Sequence, residues 1–428
     1  MTDPTRDPGR GSLDSNRPEA RPPVRPAAIP SCDVLVAGLG PAGSATAIRL
    51  ARAGLRVTAI DRATFPREKA CSEYLSPEGV RQLELLGVAE RLLPLGVALE
   101  GARVHGARGS ALEGLFRKAA PPGMREVGLS VPRRVLDAVL VDQARAAGVT
   151  VLERTRLVDL VRTAGTVTGA IVRQGDRLDQ VSSRVVVGAD GLHGVAARLL
   201  GGRRTEPLRR VALVAHVAEV DGMGSTAEMH VGTGLYVGLN AIGGGVTNVA
   251  VVGRPDRILT VSGNPEASWL AALERFAAVR GRVRRDRIVR AVLATGRFAV
   301  RARRVVADGA LLVGDAADFF DPFTGEGICT ALRGAGLAAP IIEAALAEHR
   351  VAPAAALDRY RTARREAFRG KWAVERLIGY GMTFPALFDR ALGRLDRRGM
   401  GHTLIGVTGD FLPARAVLNP GFLMAMMV

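Results

Sequence analysis

Three glycines carry the first chemistry legible in this 428-residue chain. Gly38, Gly40 and Gly43 follow the apolar run Val34–Ala37 at G-x-G-x-x-G spacing, and the Ala-rich stretch 45–53 comes next. That order reads as strand, tight turn and helix. Gly38 permits the turn, Gly40 lets the backbone approach a pyrophosphate, and Gly43 lets helix pack on strand. The helix start at Pro41 and Ala42 turns free N–H groups and a partial positive charge toward the phosphates. A second apolar run, 56–60, ends at Asp61, 23 positions after Gly38. A carboxylate there accepts both ribose hydroxyls of an adenine nucleotide. The expected ligand is a dinucleotide.

Two more strand ends place an Asp among small residues. The run 185–187 leads into Gly188-Ala189-Asp190-Gly191, and 310–313 into Gly314-Asp315-Ala316-Ala317. One such Asp is ordinarily a helix cap. Three at these separations point to a shared ligand. The loop 62–77 is polar, turn-rich and holds Cys71, and its length beside a nucleotide turn marks it as functional. Cys32, Cys71 and Cys329 have neither disulfide nor zinc spacing, so no metal is expected.

These residues need a scaffold, and hydrophobic periodicity supplies one. A helix starts near Pro77 with Val80, Leu83 and Leu86 on one face, and short strands follow over 101–129. An amphipathic helix opens at 131–137 and stops at Gly148, ahead of a strand over 149–152. A hairpin-like stretch over 157–172 has turns at Ala164-Gly165 and Thr168-Gly169. Runs 211–220, 227–239 and 246–253 read as strands of an antiparallel sheet walling a substrate pocket. Residues 325–346 read as helix, and 360–428 largely so. The expected fold is α/β. A Rossmann-type nucleotide domain with a parallel sheet (31–100, 130–205 and 300–345) is interleaved with a substrate domain on an antiparallel sheet (101–129 and 206–299). A C-terminal helical region (346–428) completes it. Residues 1–30, rich in Pro and Arg, read as a disordered tail.

Hydrophobic content of 47% and charged content of 24% are those of a globular protein. The net charge of +17 invites a nucleic-acid reading, but all of the basic residues except Lys69, Lys118 and Lys371 are arginines, spread along the chain. The densest group, 280–304, reads as a solvated basic surface. With aromatics at 4% there are few platforms for stacking bases, so nucleic acid is excluded as a partner. A nicotinamide phosphate, a carrier-bound acyl group or a membrane surface fits the charge. No signal-like stretch and no apolar run of about 18 residues is present, so the cytoplasm is the expected compartment.

The glycine turn with Asp61, the Asp190-Gly191 turn and the Gly314-Asp315 turn together resemble the set found in FAD-dependent monooxygenases related to p-hydroxybenzoate hydroxylase. Within that superfamily the chain is similar to the geranylgeranyl reductase branch, over residues 32–345. The resemblance makes the Rossmann-type unit an FAD-binding domain. It implies that Gly38, Gly40, Pro41, Ala42, Gly43, Asp61 and Arg62 hold the adenosine half, with backbone near Leu157 at the adenine. Arg133, in the pattern Arg-x-x-Leu-Asp, would contact the cofactor. Asp190 and Gly191 would meet the pyrophosphate and position a nicotinamide donor, and Gly314-Asp315 the ribityl chain. Pro322, Gly325, Glu326, Gly327 and Ile328 would lie along the isoalloxazine ring, helix-start N–H groups answering the negative charge of reduced flavin. Lys69-Ala70-Cys71-Ser72-Glu73 is similar to the Lys-Pro-Cys-Gly-Gly of geranylgeranyl reductases, with Ser72-Glu73 in place of the glycine pair. Cys71 is then either a catalytic, flavin-side group or an ordinary buried thiol. His193-Gly194 stands where a serine is usual, and the halogenase signature Trp-x-Trp-x-Ile-Pro is absent, the comparable strand reading Tyr236-Val237-Gly238-Leu239-Asn240.

The resemblance implies an FAD-dependent oxidoreductase, first an NAD(P)H-dependent monooxygenase. A flavin hydroperoxide would carry one atom of O₂ to an apolar polyketide, terpenoid or lipid substrate. The alternative is a flavin-dependent alkene reductase, and a third reading is a non-catalytic flavin carrier. With one dinucleotide turn visible, NADPH or NADH would dock transiently. The apolar C-terminus, closing on 422–428, leaves peripheral membrane contact open.

Overall fold

In the computed structural model of the chain, residues 29–427 are described. Residues 1–28 of the expected tail lie outside them, and Ile29 is already buried in the core.

The strand β1 (Cys32–Ala37) is apolar almost throughout because both of its faces are covered. It turns at Gly38 into α1 (Pro41–Arg52), whose proline sits in the first turn, where no N–H is missed. Then come β2 (Val57–Ile60) and α2 (Pro77–Leu85), the latter capped by the Ser76 hydroxyl accepting the Gly79 N–H. The hairpin β3 (Gly101–His105) and β4 (Ala111–Leu115) precedes α3 (Arg133–Ala146) and β5 (Thr150–Leu152). A meander follows: β6 (Thr155–Thr163), β7 (Thr166–Gln174) and β8 (Arg177–Gly188). Thr168-Gly169 is not a turn. It lies inside β7 at a register shift against β6.

The second sheet is built from β9 (Val211–Ala218), β10 (Thr226–Val231), β11 (Leu235–Gly243), β12 (Val246–Gly253) and β13 (Ile288–Gly296). The single strand expected over 227–239 is therefore two, parted at Gly232-Thr233-Gly234, where Gly234 has φ 79°. The Arg-rich stretch 280–304 hides β13, an edge strand that holds one of its arginines, Arg290. After β14 (Ala310–Leu312) come α4 (Gly327–Glu348), α5 (Ala354–Gly381), α6 (Pro385–Arg397), α7 (Gly401–Thr408) and α8 (Pro420–Met427).

The first sheet runs β14-β8-β1-β2-β5, all parallel, with β7 added antiparallel to β8 and β6 antiparallel to β7. The second runs β13-β9-β12-β11-β10-β3-β4 and is antiparallel except for the parallel pair β10–β3. One core lies between the parallel sheet and α1, α3 and α4; another lies between the second sheet and the C-terminal helices. α4 is, among the described residues, the helix long and apolar enough to cross a membrane, yet over half of its apolar window is buried inside the protein.

Candidate active site

Adjacent parallel strands end side by side, so β1, β2, β8 and β14 bring the glycine turn and the three Asp-bearing strand ends together. Gly38 has φ 106°, and a Cβ there would stand 2.4 Å from the Ala189 carbonyl oxygen. A Cβ on Gly43 would stand 1.7 Å from the Gly38 oxygen, and one on Gly314 2.7 Å from the Ala42 Cβ. Gly43 and Gly314 thus allow the close approach of backbones, while Gly38, Gly40, Pro41 and Ala42 line a cavity of about 710 Å³. Asp61 Oδ2 accepts the Leu39 N–H at 2.8 Å and Oδ1 the Ala63 N–H at 2.9 Å. Its carboxylate therefore also fastens the glycine turn, with lone pairs left for a ligand. Arg62 and Leu157 line the same cavity.

Next along the wall stand Lys69, Arg133 and Asp315. Arg133 is buried and gripped by Asp137 one turn on, Nε to Oδ1 and Nη2 to Oδ2, both at 2.8 Å; Arg67 adds an ion pair to the same carboxylate at 3.1 Å. That explains the Asp in the Arg-x-x-Leu-Asp pattern: it fixes the guanidinium in plane. The Asp315 carboxyl is pushed up by burial, against the pull of Lys69 and Arg133. The Lys69 ammonium is pushed down by burial and by Arg133. A carboxylate and an ammonium turned into one enclosed space without a close partner fit a ligand carrying hydroxyls and phosphates. Asp190 lines the cavity too, but its Oδ2 caps the one-turn helix Ala196–Leu199 through the Ala196 N–H at 2.9 Å, and Oδ1 has no partner. Gly191 lies beside Lys69.

The segment Lys69–Glu73 crosses the cavity like a strap. Cys71 and Ser72 face the cavity, and Glu73, at φ 59°, is fully buried behind them. Glycine favours that backbone region, and a glycine holds this place in the pattern the strap resembles. Here a hydrogen-bond net holds it instead. Glu73 Oε1 accepts the Arg133 N–H at 2.8 Å, and Oε2 meets His216 Nε2 at 2.7 Å and Asn248 Nδ2 at 2.9 Å. Asn248 also donates to the Cys71 carbonyl at 2.8 Å and Asn240 to the Ser72 carbonyl at 3.2 Å. The Glu73 N–H points at Cys71 Sγ, 3.4 Å away.

On the facing wall, Pro322, Gly325, Gly327 and Ile328 line the cavity ahead of α4. Asp321 anchors this loop to the second sheet, taking Arg210 at 2.7 Å, the Tyr236 hydroxyl at 2.8 Å and the Phe323 N–H at 3.0 Å. Glu326 departs from the expectation that its side chain faces the ring. It turns away, accepts the Ser76 hydroxyl at 3.2 Å, and leaves Oε1 without a partner. Small apolar side chains of the second sheet (Ala212, Val214, Ala250, Val252) and residues of α5 and α7 (Ile378, Leu404, Ile405) close the far end.

Sequence reading alone misses Arg67, Asp137, Glu73, His216, Asn240, Asn248 and Arg210. Asp137 had a signal, its spacing of four from Arg133; the others meet only through long-range pairing. Where Glu228 joins the cavity wall, His105, Glu228 and His230 bring ligand-type atoms within 4.8 Å. The two rings stack at 4.5 Å, however, and Arg282 takes both Glu228 oxygens, which leaves a hydrogen-bonded stack rather than a metal centre.

Residues 31–374 match the family described as FAD binding domain. The digeranylgeranylglycerophospholipid reductase of Methanothrix thermoacetophila is 30% identical over 320 residues, which is 73% of this chain and 77% of that one. The 6-methylpretetramide 4-monooxygenase of Streptomyces rimosus is 30% identical over 335 residues, 75% and 77% of the two chains. The crystal structure of a geranylgeranyl bacteriochlorophyll reductase-like protein from Thermoplasma acidophilum superposes with a TM-score of 0.71 at 20% identity, covering 93% of this chain and 96% of that one, which shows the shared fold. The chain belongs to the FAD-binding-domain family, and it is an FAD-dependent oxidoreductase.

Proposed function

We propose that this enzyme reduces carbon–carbon double bonds in an apolar, isoprenoid-like lipid, with NADPH or NADH as electron donor. The observation that carries the reading is Cys71, placed on the cavity wall by a strap whose backbone takes a left-handed turn where the reductases' pattern has glycine. FAD, when bound, supplies the two-electron exchange between nicotinamide and substrate. Gly38, Gly40, Asp61 and Arg62 would hold its adenosine half, Lys69, Arg133 and Asp190-Gly191 its phosphates, and Asp315 its hydroxyls. The chain's own part in the reaction is orientation, exclusion of water and one proton. Cys71 holds that proton at Sγ beside the substrate end, and the Glu73 N–H at 3.4 Å stabilises the sulfur once it has left. The apolar sheet residues at the far end suit a greasy chain.

Oxygenation of an apolar natural product, the first reading of the sequence, becomes the second reading here. It is favoured by the monooxygenase relative at equal identity and by Ser72-Glu73 in place of the glycine pair. Purified FAD-loaded protein, given NADPH or NADH and a geranylgeranyl lipid, is expected to keep oxidising nicotinamide under argon, and mass spectrometry is expected to show two hydrogens gained per double bond. Cys71→Ser is expected to lower turnover about a hundredfold with flavin absorbance unchanged. Turnover that stops without O₂, with a product one oxygen heavier, would overturn alkene reduction in favour of oxygenation.

A further inference from the structure

One ridge of the C-terminal region is apolar at one end and cationic at the other. Leu377 and Tyr380 near the end of α5 are 41% and 39% exposed, and Phe384 and Leu387 at the start of α6 are 64% and 56% exposed. Their spacing of three, four and three residues keeps them on one side of a path that is nearly helical across the junction, since Met382, Thr383 and Phe384 bond back to Ile378, Tyr380 and Gly381. The opposite side is buried too, through Met382, Ala391, Leu392 and Leu395. The outward apolar residues are thus surplus to the core. Further along α6, at the same spacing, the ridge continues as Arg390, Arg394 and Arg397, with Arg398 beside it. Arg394 and Arg398 donate to the Met426 and Ala425 carbonyls, which brings the exposed Met424 and Met427 of α8 to the same edge. None of these four arginines forms an ion pair with a carboxylate among the described residues, and Asp396 is the one exposed acid on α6.

The same ridge adjoins the cavity. Ile378, the neighbour of Leu377, lines it, and Phe388, the neighbour of Leu387, packs edge-on against the cavity residue Phe323. We infer that the α5–α6 elbow docks on an anionic lipid bilayer, with Phe384 and Leu387 entering the acyl boundary and Arg390, Arg394, Arg397 and Arg398 meeting the headgroups. An amphipathic element with aromatic and aliphatic residues on one part and arginines on the other is the interfacial type, and each arginine adds attraction to acidic lipid. A second copy of the chain suits the surface less well, because a self-paired contact sets these cations against one another. The inference takes from the proposed function only the apolar character of the substrate, which here would enter the cavity from the bilayer without crossing water.

The test is sedimentation of the FAD-loaded protein with vesicles, one set of phosphatidylcholine and one containing phosphatidylglycerol, in low salt and without turnover. The wild type is expected to pellet with the phosphatidylglycerol vesicles and to be released by high salt. F384S/L387S is expected to lose about tenfold in partition, and R390Q/R397Q to fall to the phosphatidylcholine level. Both variants should keep their flavin absorbance. Partition unchanged in F384S/L387S, or no wild-type binding to either vesicle, overturns the inference. So does a wild-type dimer that F384S/L387S splits, which assigns the face to a second copy. Vesicle binding with these determinants but no reduction of any lipid double bond upholds the docking and removes the proposed function instead.

Discussion

Glu326 sits at the mouth of α4 with its carboxyl buried against Ser76, and burial holds its pKa at about 8 despite the opposing pull of Lys371. The ordinary value is 4.5, so the unfolded chain releases this proton near pH 4.5 while the folded chain keeps it. Its contribution to stability is therefore fully present below pH 4.5 and is lost progressively until about pH 8. Glu326→Gln keeps a hydrogen-bonding side chain and cannot ionise. Urea denaturation is expected to show the variant gaining on the wild type between pH 5 and pH 9, by roughly 4 kcal/mol at the upper end. A difference that stays flat across that range would refute the assignment. The cavity-facing residues of the glycine turn were legible because they are local, the motif and its distant Asp being written in two short stretches. The direction of Glu326 was not, because it is set by Ser76, 250 positions away.

At the level of elements, the strap is the part that departs furthest from what its sequence suggests. A non-glycine residue at φ 59° is strained, and Glu73 is kept there by Arg133, His216 and Asn248. Substitution separates the two effects. Glu73→Ala and Glu73→Gly lose the same hydrogen bonds, but only glycine takes up the backbone without strain. The alanine variant is expected to be the less stable by about 1 kcal/mol in thermal or urea denaturation. Equal stability would mean that the left-handed backbone costs nothing here. The partners of Glu73 on β9 and β12 lie 143 and 175 positions downstream, which is why no local pattern announced them. Similar reasons apply to 227–239. A continuous run of strand-forming residues hid a hairpin because the reversal at Gly232-Thr233-Gly234 needs only three residues.

Across the whole molecule, Arg210 and Asp321 form a buried ion pair that ties the second sheet to the loop before α4. Arg210 also donates to the Gly379 carbonyl of α5 at 3.0 Å. Arg210→Ala leaves Asp321 buried with only Tyr236 and the Phe323 N–H. A cost of about 3–5 kcal/mol in unfolding free energy is expected, together with lower flavin content in the purified protein. Full flavin retention with unchanged stability would show that the two halves cohere without this pair. The interleaving of two sheets was readable because the strands of the second follow one another through short Gly-rich turns, whereas those of the first are set apart by helices. How the C-terminal helices seat on them was not, since it depends on contacts such as Ile405 against Gly114 and His402 Nδ1 on the Leu115 N–H.

Those late helices supply part of the cavity wall through Ile378, Leu404 and Ile405. A nascent chain emerging from the ribosome therefore owns its glycine turn long before it owns a closed chamber. Until the final turns of α7 are synthesised, a greasy trough stands open to water, and chains truncated before α7 are expected to stay colourless.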